Sequence, residues 1–128
     1  MGGKVVHFEI PADNVERARA FYKKTFQWGI TPMPEMGYTM VQTTPGDENG
    51  MPTEAGAING GIAVRGDTVK HPVVTIAVDD IDAALHAVGQ NGGKTIQAKQ
   101  SIGPMGHTAY FEDSEGNTVG LWQMAAPP

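Results

Sequence analysis

The sequence predicts an α+β fold built from two tandem strand–helix–strand–strand–strand (βαβββ) modules. Three observations predict it. Stretches such as Lys4 to Ile10 and Val73 to Val78 alternate their side chains with the period of a strand. Each runs directly into a cap-like acidic residue and then apolar residues at helical spacing. The two halves also align without a gap: Ile10 with Ile76, Asp13 with Asp79, Val15 with Ile81, Glu16 with Asp82 and Ala18 with Ala84, a constant offset of 66 residues.

In the first strand Val6, Phe8 and Ile10 share the face expected on the core, and Val5, His7 and Glu9 share the other. Asp13 reads as a helix N-cap, with Glu16 completing a capping-box pattern. Val15, Ala18, Phe21, Tyr22 and Phe26 make an apolar stripe, Arg17, Arg19, Lys23 and Lys24 lie on or near the wet side, and Trp28-Gly29 ends the helix. Ile30 to Gln42 contains Pro32, Pro34 and Gly37, then the strand-like YTMVQ. Residues 43–57 are polar, with Pro45, Gly46, Asn49-Gly50 and Pro52, and form a long loop of the kind that is often functional or mobile. GGIAV, Gly60 to Val64, closes the first module as a strand, and residues 66–70 connect.

The second module repeats the plan. Val74, Ile76 and Val78 are its core strand residues, Asp79 its cap, and Ile81, Ala84, Leu85 and Val88 its apolar helical stripe, stopped by Gly92-Gly93. KTIQAK is a strand, SIGPMG a turn, HTAYFED a strand, SEGN a hairpin turn with Gly116 at positive φ, and TVGLWQM the last strand. Residues 1–128 read as one domain, with module one at about 4–66 and module two at about 71–124.

Composition narrows the function. The 40% hydrophobic and 18% charged fractions are those of a globular protein, and no apolar run approaches a membrane span. The opening MGGKVV lacks the apolar stretch of a signal peptide. A net charge of −5 with scattered basic residues argues against a nucleic-acid groove. The absence of cysteine excludes disulfides, thiolate metal sites and cysteine nucleophiles, and suits a cytoplasmic location.

HFEI before a helix containing AFY, the second-half VDDIDAAL, and the closing FEDSEGNTVGLWQ resemble the vicinal oxygen chelate superfamily, which contains glyoxalase I, extradiol dioxygenases and bleomycin-resistance proteins. The final GLWQ is most similar to the glyoxalase-related branch, whose members are often described as lactoylglutathione-lyase-like. The resemblance covers nearly the whole chain. It implies two βαβββ modules with curved mixed sheets forming a cleft, paired within a chain or across a homodimer. It also implies that metal-bearing members line that cleft with four ligands from the first and last strands of each module.

Carried onto this chain, those four positions are His7, Gly61, Val73 and Gly120. Glycine and valine offer no side-chain donor, so no metal ligand set is predicted and no cofactor, with a divalent metal left open. His7 then reads either as a polar side chain with satisfied hydrogen bonds or, with Glu9, as an acid/base pair on one strand face. Tyr38, Met40, Gly61, Val73, His107, Gly120 and Trp122 join His7 as the expected ligand-lining residues. Trp122 alternates with Gly120 and makes either an aromatic wall for a ring-bearing ligand or a module interface. His71 is expected as a loop residue before Pro72, and His86 in an exposed position of the second helix. GPMG before His107 reads as a turn or a segment over the cleft, FEDSEGN as a hairpin turn without calcium-loop spacing, and Gly60-Gly61 as a close backbone approach rather than a phosphate loop.

Two functions compete on this basis. One is a metal-independent enzyme acting on a small carbonyl, epoxide or aromatic compound. The other is sequestration of a ligand, as in the bleomycin-resistance relatives. Metal-dependent lyase or dioxygenase chemistry stands third, because the glycines remove its ligands. The expected partner is a small molecule, with no nucleic acid and no membrane, and the expected assembly a homodimer.

Overall fold

A computed structural model describes residues 2–48 and 51–125 of the chain, so the Asn49-Gly50 turn lies outside the described residues. The protein is α+β. In chain order the elements are β1 (Val5–Ala12), α1 (Val15–Phe26), β2 (Gly29–Met33), β3 (Tyr38–Gln42), β4 (Asn59–Val64), β5 (Val73–Ala77), α2 (Ile81–Gln90), β6 (Lys94–Ser101), β7 (Gly106–Glu112) and β8 (Thr118–Met124). Single 3₁₀ turns sit at Pro34–Met36 and Gly103–Met105. The chain divides into two units, one of His7–Pro72 and one of the residues up to Val6 with Val73 onward.

In the first unit the strands run β2-β3-β4-β1. β1 pairs with β4 in parallel, and the other neighbours are antiparallel. Helix α1 belongs to one face. Its Val15, Ala18 and Tyr22 pack with Phe8, Trp28 and Ile30 on a buried centre of Ala12, Val41 and Ile62. Ile62 and Val41 are fully enclosed, and each such side chain contributes about 1.5–3 kcal/mol over an exposed one. Tyr22 stacks on Trp28 with centroids 4.7 Å apart. Arg19 Nε donates to the buried Thr39 hydroxyl over 2.8 Å, which satisfies a polar group that would otherwise be costly to enclose.

The second unit orders its strands β5-β8-β7-β6, again with one parallel pair, β5–β8. Ile81 and Leu85 of α2 pack with Ile76, Val78, Ala109, Phe111 and Leu121. The helix closes on Asn91, with Gly92 at φ 95° and Gly93 N donating to the Val88 carbonyl at 2.9 Å. That is a Schellman closure, and Gly92 supplies the left-handed residue it requires. In the 113–117 turn, Asp113 accepts from the backbone N–H groups of Glu115 and Asn117 and from the Asn117 side chain. The Asn117 backbone bond leads the causes that hold the Asp113 carboxyl below its ordinary value.

Several expectations shift by a residue or more. The N-caps are Asn14 and Asp80 rather than Asp13 and Asp79. Asn14 Oδ1 accepts from Arg17 N and Asp80 Oδ1 from Ala83 N, at 3.0 and 3.1 Å. Asp13 is instead drawn away by Arg65, 2.8 Å from its carboxylate. Asn14→Ala is therefore expected to cost about 1 kcal/mol, and Asp13→Ala, which breaks only an exposed ion pair, less; paired urea titrations measure both. Helix α1 stops at Phe26, because Gln27 turns left-handed at φ 56° and returns the chain so that Trp28 reaches Tyr22. Phe21 and Phe26, expected in the apolar stripe, are 55% and 56% exposed, so only Val15, Ala18 and Tyr22 of that stripe face the core. Val74 is 47% exposed and the neighbouring Val73 is buried. The 43–57 loop is tied at its base, since Asn59 Oδ1 accepts from Thr43 N and Thr44 N and Thr44 Oγ1 donates to Glu54.

Candidate functional site

Register decides which side chains meet. Directly opposed residues of paired strands point to the same face. In the first unit His7 lies opposite Asn59, Glu9 opposite Gly61, Gly61 opposite Met40, and Tyr38 opposite Ala63. His7, Glu9, Tyr38, Met40, Asn59 and Gly61 therefore share one face, and Phe8, Val41 and Ile62 carry α1 on the other. Glu9 is buried on this face.

Tyr38 lies on β3 and His7 on β1, with β4 between them. The phenol nonetheless reaches the imidazole, with Tyr38 Oη 2.9 Å from His7 Nε2 and the two rings roughly parallel. Gly61 makes this possible. A Cβ on Gly61 would overlap Tyr38 Oη and Cζ, so the ring crosses β4 where that strand has no side chain. Burial pushes the His7 imidazole down to about 4, and the ring is neutral at physiological pH. A neutral imidazole has one N–H. Its Nε2 either accepts from the phenol or donates to it, according to tautomer. The pair can accordingly pass a proton or present a phenolic O–H.

Asn59 belongs to this face and has no signature in the sequence that sets it apart from any polar residue opening a strand. Its Oδ1 accepts from Thr43 N, Thr44 N and Thr43 Oγ1, at 2.8, 3.2 and 3.4 Å. Its buried Nδ2 has no acceptor among the described residues.

In the second unit Thr75 lies opposite Gly120 and Ala77 opposite Trp122, while Tyr110 and Thr108 oppose the same two β8 residues from β7. Gly120 and Trp122 do share a face, together with the buried Val73 and Thr75. His107 does not share it. It lies opposite Gln123, on the face of Ala109 and Leu121 that packs on α2, because its position in β7 differs by an odd number of residues from Thr108 and Tyr110. The sequence counts His107 among the ligand-lining residues, and the register sets it instead on the helix side of β7. Gln123 Oε1 accepts from Ile81 N at 2.8 Å and serves the start of α2. His71 and His86 are exposed.

The four positions of a family-type metal set do not fit a divalent ion. Gly61, Val73 and Gly120 carry no donor. The space beside Gly61 is filled by Tyr38, and a Cβ on Gly120 would stand 2.8 Å from Thr75 Oγ1. Among the described residues no cluster of three or more His, Asp or Glu could hold a metal. An open depression of about 390 Å³ lies between α1 and β2, lined by Glu16, Arg19, Ala20, Lys23, Ile30 and Pro32, and includes none of the residues on the His7 face. No helix among the described residues is long and apolar enough to cross a membrane.

The family model for the bleomycin resistance protein-like N-terminal region matches residues 4–44, which contain His7, Glu9, Tyr38 and Met40. A glyoxylase-like domain-containing protein of Didymella fabae is 36% identical over 91% of this chain and 90% of its own length. A Mycobacterium bovis protein described as a candidate glyoxylase is 33% identical over 83% of this chain, which spans 40% of that longer relative. Among solved structures, a Streptomyces coelicolor methylmalonyl-CoA epimerase variant in complex with 2-nitronate-propionyl-CoA superposes with a TM-score of 0.66 at 15% identity, covering 98% of this chain and 100% of that one. At that identity the likeness is one of fold.

Proposed function

Because the chain belongs to the glyoxylase-like, bleomycin-resistance-like part of the vicinal oxygen chelate superfamily, we propose that it takes a small organic molecule on the His7 face without a divalent metal. Each half then serves as one βαβββ module whose curved sheet offers the face opposite its helix to a ligand. The observation that carries it is the Tyr38 phenol lying across Gly61 to meet His7 at 2.9 Å. Where the family pattern has a ligating carboxylate, this chain has a glycine, and a phenol fills the vacated space.

That arrangement supports acid/base chemistry on a small carbonyl, epoxide or aromatic compound. The neutral imidazole accepts a proton, the phenol donates one, Glu9 adds a carboxyl on the same face, and Met40 supplies an adaptable apolar surface. Sequestration is the second reading. It is favoured by the match of residues 4–44 to a bleomycin resistance-like model, since that segment holds four of the residues on this face.

Elemental analysis of untagged protein, before and after dialysis against chelator, tests the metal-free reading. Transition metal far below one equivalent is the expected result, and a stoichiometric metal that survives dialysis would overturn it. A thioester such as propionyl-CoA, chosen because the epimerase structure holds a relative of it, serves as one screening compound. Among compounds that bind, recovery of an altered product that His7→Ala abolishes supports the enzyme. Recovery of unchanged ligand throughout supports sequestration.

A further inference from the structure

We propose that the depression between α1 and β2 is a second binding site, for a small organic carboxylate: one negative charge carried on an apolar body. It lies on the helix side of the first unit's sheet and shares no residue with the His7 face.

The lining and the cations come from different elements. On β2, Ile30 lies opposite Val41 and Pro32 opposite Thr39, so both turn toward the helix side. With Ala20 of α1 they give the depression, about 390 Å³ in volume, its apolar lining. Arg19 and Lys23 stand four residues apart on α1 and line the same space. Arg19 Nε donates over 2.8 Å to the hydroxyl of the fully enclosed Thr39, and that bond anchors the guanidinium. The N–H groups of its two Nη atoms have no acceptor among the described residues. Glu16 also lines the depression, yet neither Arg19 nor Lys23 is ion-paired among the described residues.

Charge and shape select the ligand. Two cations and one carboxylate leave the lining with one net positive charge, which matches a monoanion. The planar fork of a guanidinium suits the two oxygens of a carboxylate, and Lys23 adds a point charge beside it. Because Thr39 already holds Arg19, binding immobilises little more of that side chain. Like charges four residues apart on a helix repel, and an anion between them relieves the repulsion. Ile30, Pro32 and Ala20 are left to take the apolar body.

The probe is benzoate. Benzamide has its shape without the charge, and acetate has the charge without the ring. Titrations of the intact, isotope-labelled protein at constant ionic strength follow the Arg19 Nε–H resonance and the Ile30 and Gly61 amides by NMR. Benzoate is expected to shift Arg19 and Ile30 saturably, to leave Gly61 unmoved, and to bind about 10-fold tighter than either control. Two substitutions at exposed positions test the lining without entering the core. Lys23→Gln removes one charge and is expected to weaken benzoate about threefold or more. Ala20→Leu keeps both cations, fills the depression, and is expected to weaken it as well. Shifts that do not saturate, equal affinity for benzoate and either control, or undiminished affinity in Lys23→Gln or Ala20→Leu would overturn the site. Saturable shifts at Gly61 with none at Arg19 would put the probe on the His7 face and overturn it too.

Discussion

Gly60→Ala is expected to destabilise the protein by about 3 kcal/mol or more, while Gly61→Ala next to it leaves the chain folded. The two glycines face opposite sides of β4. A Cβ on Gly60 would overlap the Phe8 carbonyl oxygen and stand 2.7 Å from the Phe8 ring, inside the packed face. Backbone cannot yield there without breaking the parallel register in which Phe8 lies opposite Gly60. The three atoms nearest to a Cβ on Gly61 all belong to the outer end of the Tyr38 side chain, which can rotate away. Gly61→Ala should thus cost little stability and separate the phenol from His7. Urea titrations of both variants, with the His7 ring resonances followed by NMR, measure this. Equal stability losses, or an undisturbed His7 environment in Gly61→Ala, would contradict the crossing of Tyr38 over β4.

Acid is expected to remove about 3 kcal/mol of stability through His7 between pH 7 and pH 4. Burial lowers the folded-state value of His7 from 6.5 to about 4. On acidification the unfolded chain takes up its proton first, so unfolding gains a proton throughout that interval. The contribution is present in full above the unfolded value, is lost as pH falls from 6.5 toward 4, and does not fall further once the folded ring is itself protonated. His7→Gln removes the titration and should flatten the stability–pH curve over this window relative to wild type. Curves that stay parallel would show that His7 is not held neutral by the fold.

Much of the fold was legible because it rests on local physics. Alternation in Lys4 to Ile10 marks a strand from the residues alone, since successive side chains of an extended chain must point to opposite faces. Apolar residues at helical spacing after each alternating stretch marked the strand–helix–strand order seen in β1-α1-β2 and β5-α2-β6. Cap positions were displaced by one residue in both halves. Asp13-Asn14 and Asp79-Asp80 each offer two residues able to cap, and the choice depends on backbone angles and on Arg65, far away in sequence. The exposure of Phe21 and Phe26 was hidden for a similar reason, because helical spacing does not say how far a sheet extends beneath a helix.

The sequence by itself determined the donor inventory of the candidate site. One histidine, two glycines and a valine at the four family positions supply a single side-chain donor, where a divalent ion usually takes three or four. Only the tertiary structure decided which side chains meet at those positions. That Tyr38 reaches His7 across Gly61, that Asn59 shares their face, and that His107 belongs to the other side of its sheet all depend on strand register. Register arises from pairing between distant segments, and a shift of one residue sends every side chain to the opposite face.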